Sequence, residues 1–107
     1  MRTSSRMRLS ATAYCHAGKT AAGTRTHTGI VAADPRLLPV GSVLRILEPR
    51  QFAGVYTVMD TGSAIKGRDL DIFMPSCARA VEFGRQFVHV SVLRRGWDPK
   101  TSAGSAR

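Results

Sequence analysis

Hydrophobic residues in this chain come in short alternating runs separated by glycine, proline and polar clusters, a spacing that predicts strands rather than long helices. The first run, Ala11-Thr12-Ala13-Tyr14-Cys15, alternates and leads into a polar loop containing Gly18, Gly23 and several threonines. A second strand is predicted at Gly29-Ile30-Val31-Ala32-Ala33, running into Asp34-Pro35. A residue before proline is pushed towards extended geometry, so Asp34 ends that strand and can cap the turn that follows. Leu37-Leu38-Pro39-Val40-Gly41 is a tight apolar connection to a third strand, Ser42 to Leu47, which Glu48-Pro49-Arg50-Gln51 breaks. Gly54 to Met59 reads as a fourth strand, Leu70 to Phe73 as a fifth and Gln86 to Leu93 as a sixth. In the sixth, His89 and Ser91 fall on the face opposite Val88, Val90 and Val92, which makes His89 an outward strand residue. One short helix is expected over Cys77 to Phe83, with Ala80, Val81 and Phe83 on its buried face and Gly84 as its stop.

Six short strands and one helix point to a small barrel or sandwich, because an open sheet of this size would leave its edges unprotected. The 107 residues are enough for one domain with one core. Residues 1 to 9 are basic and serine-rich and predict a disordered arm, residues 10 to 96 the domain, and residues 97 to 107 a flexible tail in which Trp97 is the one strong anchor.

Charge narrows the partners. Sixteen Lys and Arg against seven Asp and Glu give a formal net charge of +9, so the surface should attract polyanions: nucleic acid, an anionic membrane surface or an acidic cell-wall polymer. The sequence holds no membrane-spanning run. Its N-terminus, Met1-Arg-Thr-Ser-Ser-Arg-Met-Arg, is basic without the apolar stretch of a secretory signal.

The chemistry concentrates between Asp60 and Asp71. Val55-Tyr56-Thr57-Val58-Met59 ends directly on Asp60, which places that carboxylate at a strand end. In the fifth strand Leu70 and Ile72 face one side while Asp71 and Phe73 face the other, setting a carboxylate on a strand surface. The plainer alternative is that Thr61-Gly62-Ser63 is a turn and the acids are solvated loop ends. Cys15 and Cys77 are not a Cys-x-x-Cys pair, and a disulfide, two buried free thiols or a catalytic cysteine all remain open. A disulfide would imply an oxidising compartment. His16 and His27 near Cys15 raise the question of zinc, but no second pair of ligands accompanies them, so neither a metal nor another cofactor is expected.

Several motifs falling in order carry a resemblance. Ala13-Tyr14-Cys15, Gly29-Ile30-Val31-Ala32-Ala33-Asp34-Pro35, Leu38-Pro39-Val40-Gly41-Ser42, Met59-Asp60-Thr61-Gly62, Ala64-Ile65-Lys66-Gly67, Leu70-Asp71-Ile72-Phe73 and Phe83-Gly84-Arg85 together resemble the 3D domain family, named for three aspartates. The resemblance runs from about Ala11 to Leu93. It implies a mainly β fold, a small six-stranded double-psi β-barrel with one short helix, similar to the barrel of membrane-bound lytic transglycosylases.

It further implies cleavage of the β-1,4 bond between N-acetylmuramic acid and N-acetylglucosamine in peptidoglycan, with formation of a 1,6-anhydro ring, in the cell envelope (periplasmic or extracellular). One carboxylic acid serves first as acid and then as base. By resemblance that acid maps to Asp71, with Asp60 as a charged helper. Thr61, Gly62, Lys66, Gly67 and Asp34 map to the substrate-binding positions. Asp34 is the first family aspartate, though turn capping explains it equally well, and Ser63 stands where relatives often carry glycine. A like charge on Asp60 is expected to keep Asp71 protonated. Gly62 and Gly67 are expected to bring backbone N–H groups to sugar oxygens, and Lys66 to point at substrate or solvent. With one domain the cleft should be open.

Two other classes compete. A glycan-binding module on the same barrel would keep the groove without needing a protonated Asp71. A nucleic-acid-binding barrel would account for the arginines, but most aromatics fall at core-like positions, and no nucleic-acid partner is expected. Oligomeric state is not legible in the sequence.

Overall fold

Alternation in the first strand reaches further back than the basic composition of that region suggests. In the computed structural model, which describes residues 5–96, β1 runs Ser5–Tyr14 and pairs antiparallel with β6 (Gln86–Arg94), from Ser5 opposite Val92 to Ala11 opposite Gln86. Leu9 and Ala11 are fully buried and Met7 and Ala13 pack against the core, so every second residue points inward. The arm expected over residues 1 to 9 is therefore corrected from Ser5 onward. Pairing with β6 satisfies its backbone, and arginines on the outer face leave the apolar inner face intact. The expected tail, with Trp97, lies outside the described residues, as do residues 1–4.

The remaining elements follow the sequence closely: β2 (Ile30–Ala33), β3 (Val43–Glu48), a 3-10 turn at Arg50–Phe52, β4 (Gly54–Asp60), β5 (Asp69–Phe73) and α1 (Cys77–Phe83). The strands close into a barrel in the order β1-β5-β2-β4-β3-β6. Two parallel pairs, β1 with β5 and β2 with β4, stand among four antiparallel ones, the mixed arrangement of a small double-psi barrel. Closure leaves no open sheet edge. Leu9, Val31, Leu44, Ile46, Val58, Leu70, Ile72, Val88 and Val90 fill the interior, each fully buried large side chain contributing about 1.5–3 kcal/mol relative to exposure.

Helix α1 starts where Ser76 Oγ accepts a hydrogen bond from the Arg79 amide (3.2 Å) and stops at Gly84, whose φ of 63° suits a residue without Cβ. Ala80 and Phe83 are buried, but Val81 is 81% exposed, which corrects its assignment to the buried face. Ala80 and Phe83 stand three residues apart and share a face, whereas Val81 is turned about 100° from Ala80. Ser91 is also buried, although it alternates with the inward valines of β6.

Cys15 and Cys77 form a disulfide, with Cα atoms 5.0 Å apart, which settles the three alternatives that their spacing left open. The bond ties the end of β1 to the first residue of α1. Because it closes 62 residues of chain, loop entropy alone gives it about 4 kcal/mol of stabilisation.

Candidate active site

Strand register brings Thr12, Asp71, Ala32 and Asp60 into one row across four neighbouring strands. Thr12 of β1 lies opposite Asp71 of β5, Asp71 opposite Ala32 of β2, and Ala32 opposite Asp60 of β4, after a register shift between Val31 and Ala32. Two strand spacings separate the Asp60 and Asp71 backbones, about 10 Å. Ala32 stands between them in the register, and the Tyr14 phenol is near enough to feel both charges.

Asp71 is half-buried. Its Oδ1 accepts a 2.9 Å hydrogen bond from the Thr12 hydroxyl. Burial pushes its proton affinity up from the ordinary carboxylate range, opposed by the Thr12 hydrogen bond and by the positive charge of Arg85. The expected cause, a like charge on Asp60, does not contribute. Loss of solvent achieves the shift instead. Arg85 is held nearby by Ser10 Oγ (2.7 Å) and by Asp69 (3.7 Å), so Asp69 is a partner of Arg85 rather than a further like charge on Asp71.

Asp60 has a different task for one of its oxygens. Its Oδ1 accepts from the amides of Ala21 (3.0 Å) and Thr61 (2.9 Å), and the Ala22 amide donates to the Met59 carbonyl (3.0 Å). The carboxylate thereby pins the long polar loop after β1 to the end of β4. Its Oδ2 has no protein partner among the described residues.

Asp34 is buried at 5% exposure, and both its oxygens are occupied. Oδ2 accepts from the Gly67 amide (2.7 Å), and Oδ1 from the Arg36 amide (3.0 Å) with the Arg36 Nε at 3.5 Å. The Gly67 and Arg36 amides hold its carboxyl below the ordinary range. Asp34 thus clamps the Lys66-Gly67 turn to the end of β2, the turn-holding role that its place before Pro35 also suggests. The Gly67 N–H, expected at a sugar oxygen, is donated to Asp34. Gly67 is needed for another reason: its φ of 58° favours a residue without Cβ. Thr61 and Lys66 are exposed along the loop, with the Lys66 side chain towards solvent. Gly62 turns the loop by accepting the Ile65 amide (3.0 Å), and a Cβ there would meet Ile65 Cγ1 at 3.1 Å.

Tyr14 is the residue that sequence reasoning missed. Its ring packs edge-on against Phe73 with centroids 5.4 Å apart. Its hydroxyl is buried with no hydrogen-bond partner among the described residues. Burial and the charges of Asp60 and Asp71 push the phenol up to about 12. The signal was present in the Ala13-Tyr14-Cys15 motif, but a tyrosine at an alternating strand position reads as core.

The row is open. Asp60 and Asp71 line none of four surface hollows of 360 to 470 Å³ that flank other parts of the barrel. A half-buried carboxylic acid hydrogen-bonded to one threonine hydroxyl, with Arg85 nearby, can protonate an oxygen of a polymer brought to it.

The sequence profile of the 3D domain matches residues 29–94. Two Bacillus subtilis proteins are similar to this chain. One, YabE, named as a cell wall shaping protein, is 32% identical over 96 residues, covering 81% of this chain and 23% of its own length. The other, the cell wall-binding protein YocH, is 39% identical over 64 residues, covering 60% of this chain and 21% of its own. This chain therefore spans less than a quarter of either relative. Among solved structures, MltA from E. coli superposes with a TM-score of 0.59 at 24% identity, over 74% of this chain and 28% of that one. The form of MltA with bound chitohexaose gives 0.58 at 22% identity over the same shares. At these identities the likeness is one of fold.

Proposed function

Since the chain belongs to the 3D domain family, we propose that it is a cell-envelope lytic transglycosylase acting on peptidoglycan, with Asp71 as its single acid and base. The observation that carries this reading is the half-buried Asp71 carboxyl, hydrogen-bonded to the Thr12 hydroxyl and with its proton affinity raised by burial. The relatives' names, one shaping the cell wall and one binding it, support the substrate class. The Cys15 to Cys77 disulfide supports an oxidising compartment.

In this mechanism Asp71 donates its proton to the glycosidic oxygen, the bond from the muramyl anomeric carbon to that oxygen breaks, and N-acetylglucosamine leaves with a free 4-hydroxyl. The Asp71 carboxylate then takes the proton of the muramyl 6-hydroxyl as its oxygen bonds to the anomeric carbon, closing the 1,6-anhydro ring. Atoms balance without water, and Asp71 ends protonated as it began. Thr12 supports the transient carboxylate, while the loop from Thr61 to Lys66 lines the approach. Asp60 orients that approach by fixing the loop after β1, and Asp34 does so by fixing the Gly67 turn.

The test is digestion of purified peptidoglycan by the wild type and by Asp71→Asn, with products identified by mass spectrometry. Release of 1,6-anhydro-muropeptides by the wild type alone supports the proposal. Products with ordinary reducing ends would mean a hydrolase. A second reading, a wall-binding module, is favoured by the name of YocH. It would be adopted if neither protein releases product and both pellet with the wall.

A further inference from the structure

The strand face carrying Asp71 continues past it. Two residues further along β5, about 7 Å at strand rise, Phe73 packs under Tyr14 and also lines a hollow of about 400 Å³. Phe52, Tyr56 and Met74 give this hollow an apolar floor, and Thr28 and Arg79 stand among its lining. The floor is preset. Tyr56 donates its hydroxyl to the Phe52 carbonyl (2.9 Å), and the Phe52 ring is braced edge-on by Phe83 with centroids 4.8 Å apart. Arg79 is exposed on the first turn of α1, which the Ser76 cap and the disulfide at Cys77 hold in place. No carboxylate pairs with its guanidinium among the described residues.

An apolar floor with one unpaired cation above it suits a ligand with a flat or aliphatic body and a free anion. The sugar rings of a peptidoglycan strand are uncharged. Its carboxylates belong to the short peptides attached to the muramyl residues. We propose that the hollow beside Phe73 binds the peptide stem of a muramyl residue, with Arg79 pairing to a free carboxylate of that peptide. The inference rests on the reading of the chain as a peptidoglycan-acting protein, and it makes the substrate a peptide-bearing strand rather than bare glycan. Phe73 joins the two parts, since its ring reaches the hollow while its strand carries Asp71.

The experiment compares two soluble probes, a disaccharide-peptide with a free carboxyl terminus and the same disaccharide without peptide and with its lactyl carboxyl capped as an amide, titrated calorimetrically into the wild type and Arg79→Gln. The peptide-bearing probe should bind the wild type about tenfold tighter, the size of one charge-assisted hydrogen bond. Raised salt should narrow that preference, and Arg79→Gln should bring the ratio close to one. Equal binding of the two probes by the wild type, or an undiminished preference in Arg79→Gln, overturns the inference. The outcome is independent of catalysis. A wild type that prefers the peptide probe yet releases no anhydro product keeps this site and loses the transglycosylase reading, and one that cleaves without preference does the reverse.

Discussion

Asp34 and Asp71 are both aspartates at strand positions of one small barrel, and the protein drives their protons in opposite directions. Around Asp34 the chain turns twice, at Arg36 and at Gly67, and each turn aims a backbone amide at the carboxylate. Two neutral donors and a guanidinium make the charged form the cheaper one even with most water excluded. Around Asp71 the strands are regular, so neighbouring amides are consumed in the sheet ladder and one side-chain hydroxyl is left to donate. Burial then prevails, and the carboxyl keeps its proton to higher pH than an ordinary aspartate. What separates the two carboxyls is the supply of N–H groups, which turns provide and strands withhold.

The contrast can be tested from its largest consequence downward. Asp71→Asn should lower release of anhydro-muropeptides about a thousandfold, the scale of general acid–base catalysis, while leaving the circular dichroism spectrum unchanged. Asp34→Ala should act at a distance. Freeing the Gly67 turn displaces the loop leading to Asp71, so activity should fall by up to about a hundredfold, accompanied by a lower urea midpoint. If Asp34→Ala matched Asp71→Asn in activity but kept full stability, the clamp would be the wrong description.

The pH dependence of stability should carry opposite signs. Asp34 has its folded value below the ordinary 3.8, so its contribution is present above that value and disappears as pH falls through the folded one. Asp71 has its folded value above 3.8, so its contribution is present at acid pH and disappears as pH rises through the folded one. Urea midpoints measured against pH should therefore show the wild type losing its advantage over Asp34→Asn in acid. Asp71→Asn should gain on the wild type as the solution becomes neutral.

Smaller effects refine the Asp71 side. Thr12→Val removes the hydroxyl that favours the carboxylate, so the alkaline limb of the activity profile should move to higher pH, with a several-fold lower rate, about the worth of one hydrogen bond. Tyr14→Phe should be the mildest for folding. Its hydroxyl has no partner to lose, so the unfolding free energy should change by less than about 1 kcal/mol, in the stabilising direction if at all. A large loss of stability would show that the hydroxyl is bonded after all.

The order and type of the elements were legible because each strand is a run of alternating or β-branched residues bounded by glycine, proline or a charged pair, and such patterns are local. Val55 to Met59 stopping on Asp60, and Asp71 between Leu70 and Ile72, place both carboxylates on strands from local pattern alone. The alternation of Met7, Leu9, Ala11 and Ala13 was equally local, but its arginines outweighed it until β6 supplied a partner.

Other features could come only from the tertiary structure, since they depend on register between segments far apart in the chain. Nothing in the sequence sets Asp60 and Asp71 either side of Ala32, gives the Gly67 amide to Asp34, or brings Cys15 against Cys77 across 62 residues. The cause of the Asp71 shift was likewise out of reach. Like charge is suggested by two acids near each other in a motif, whereas burial is a property of how closely four strands pack around one of them. Sequence decided which residues can do chemistry. Closure of the barrel decided which carboxyl has its proton affinity raised by burial, and which is consumed in holding turns in place.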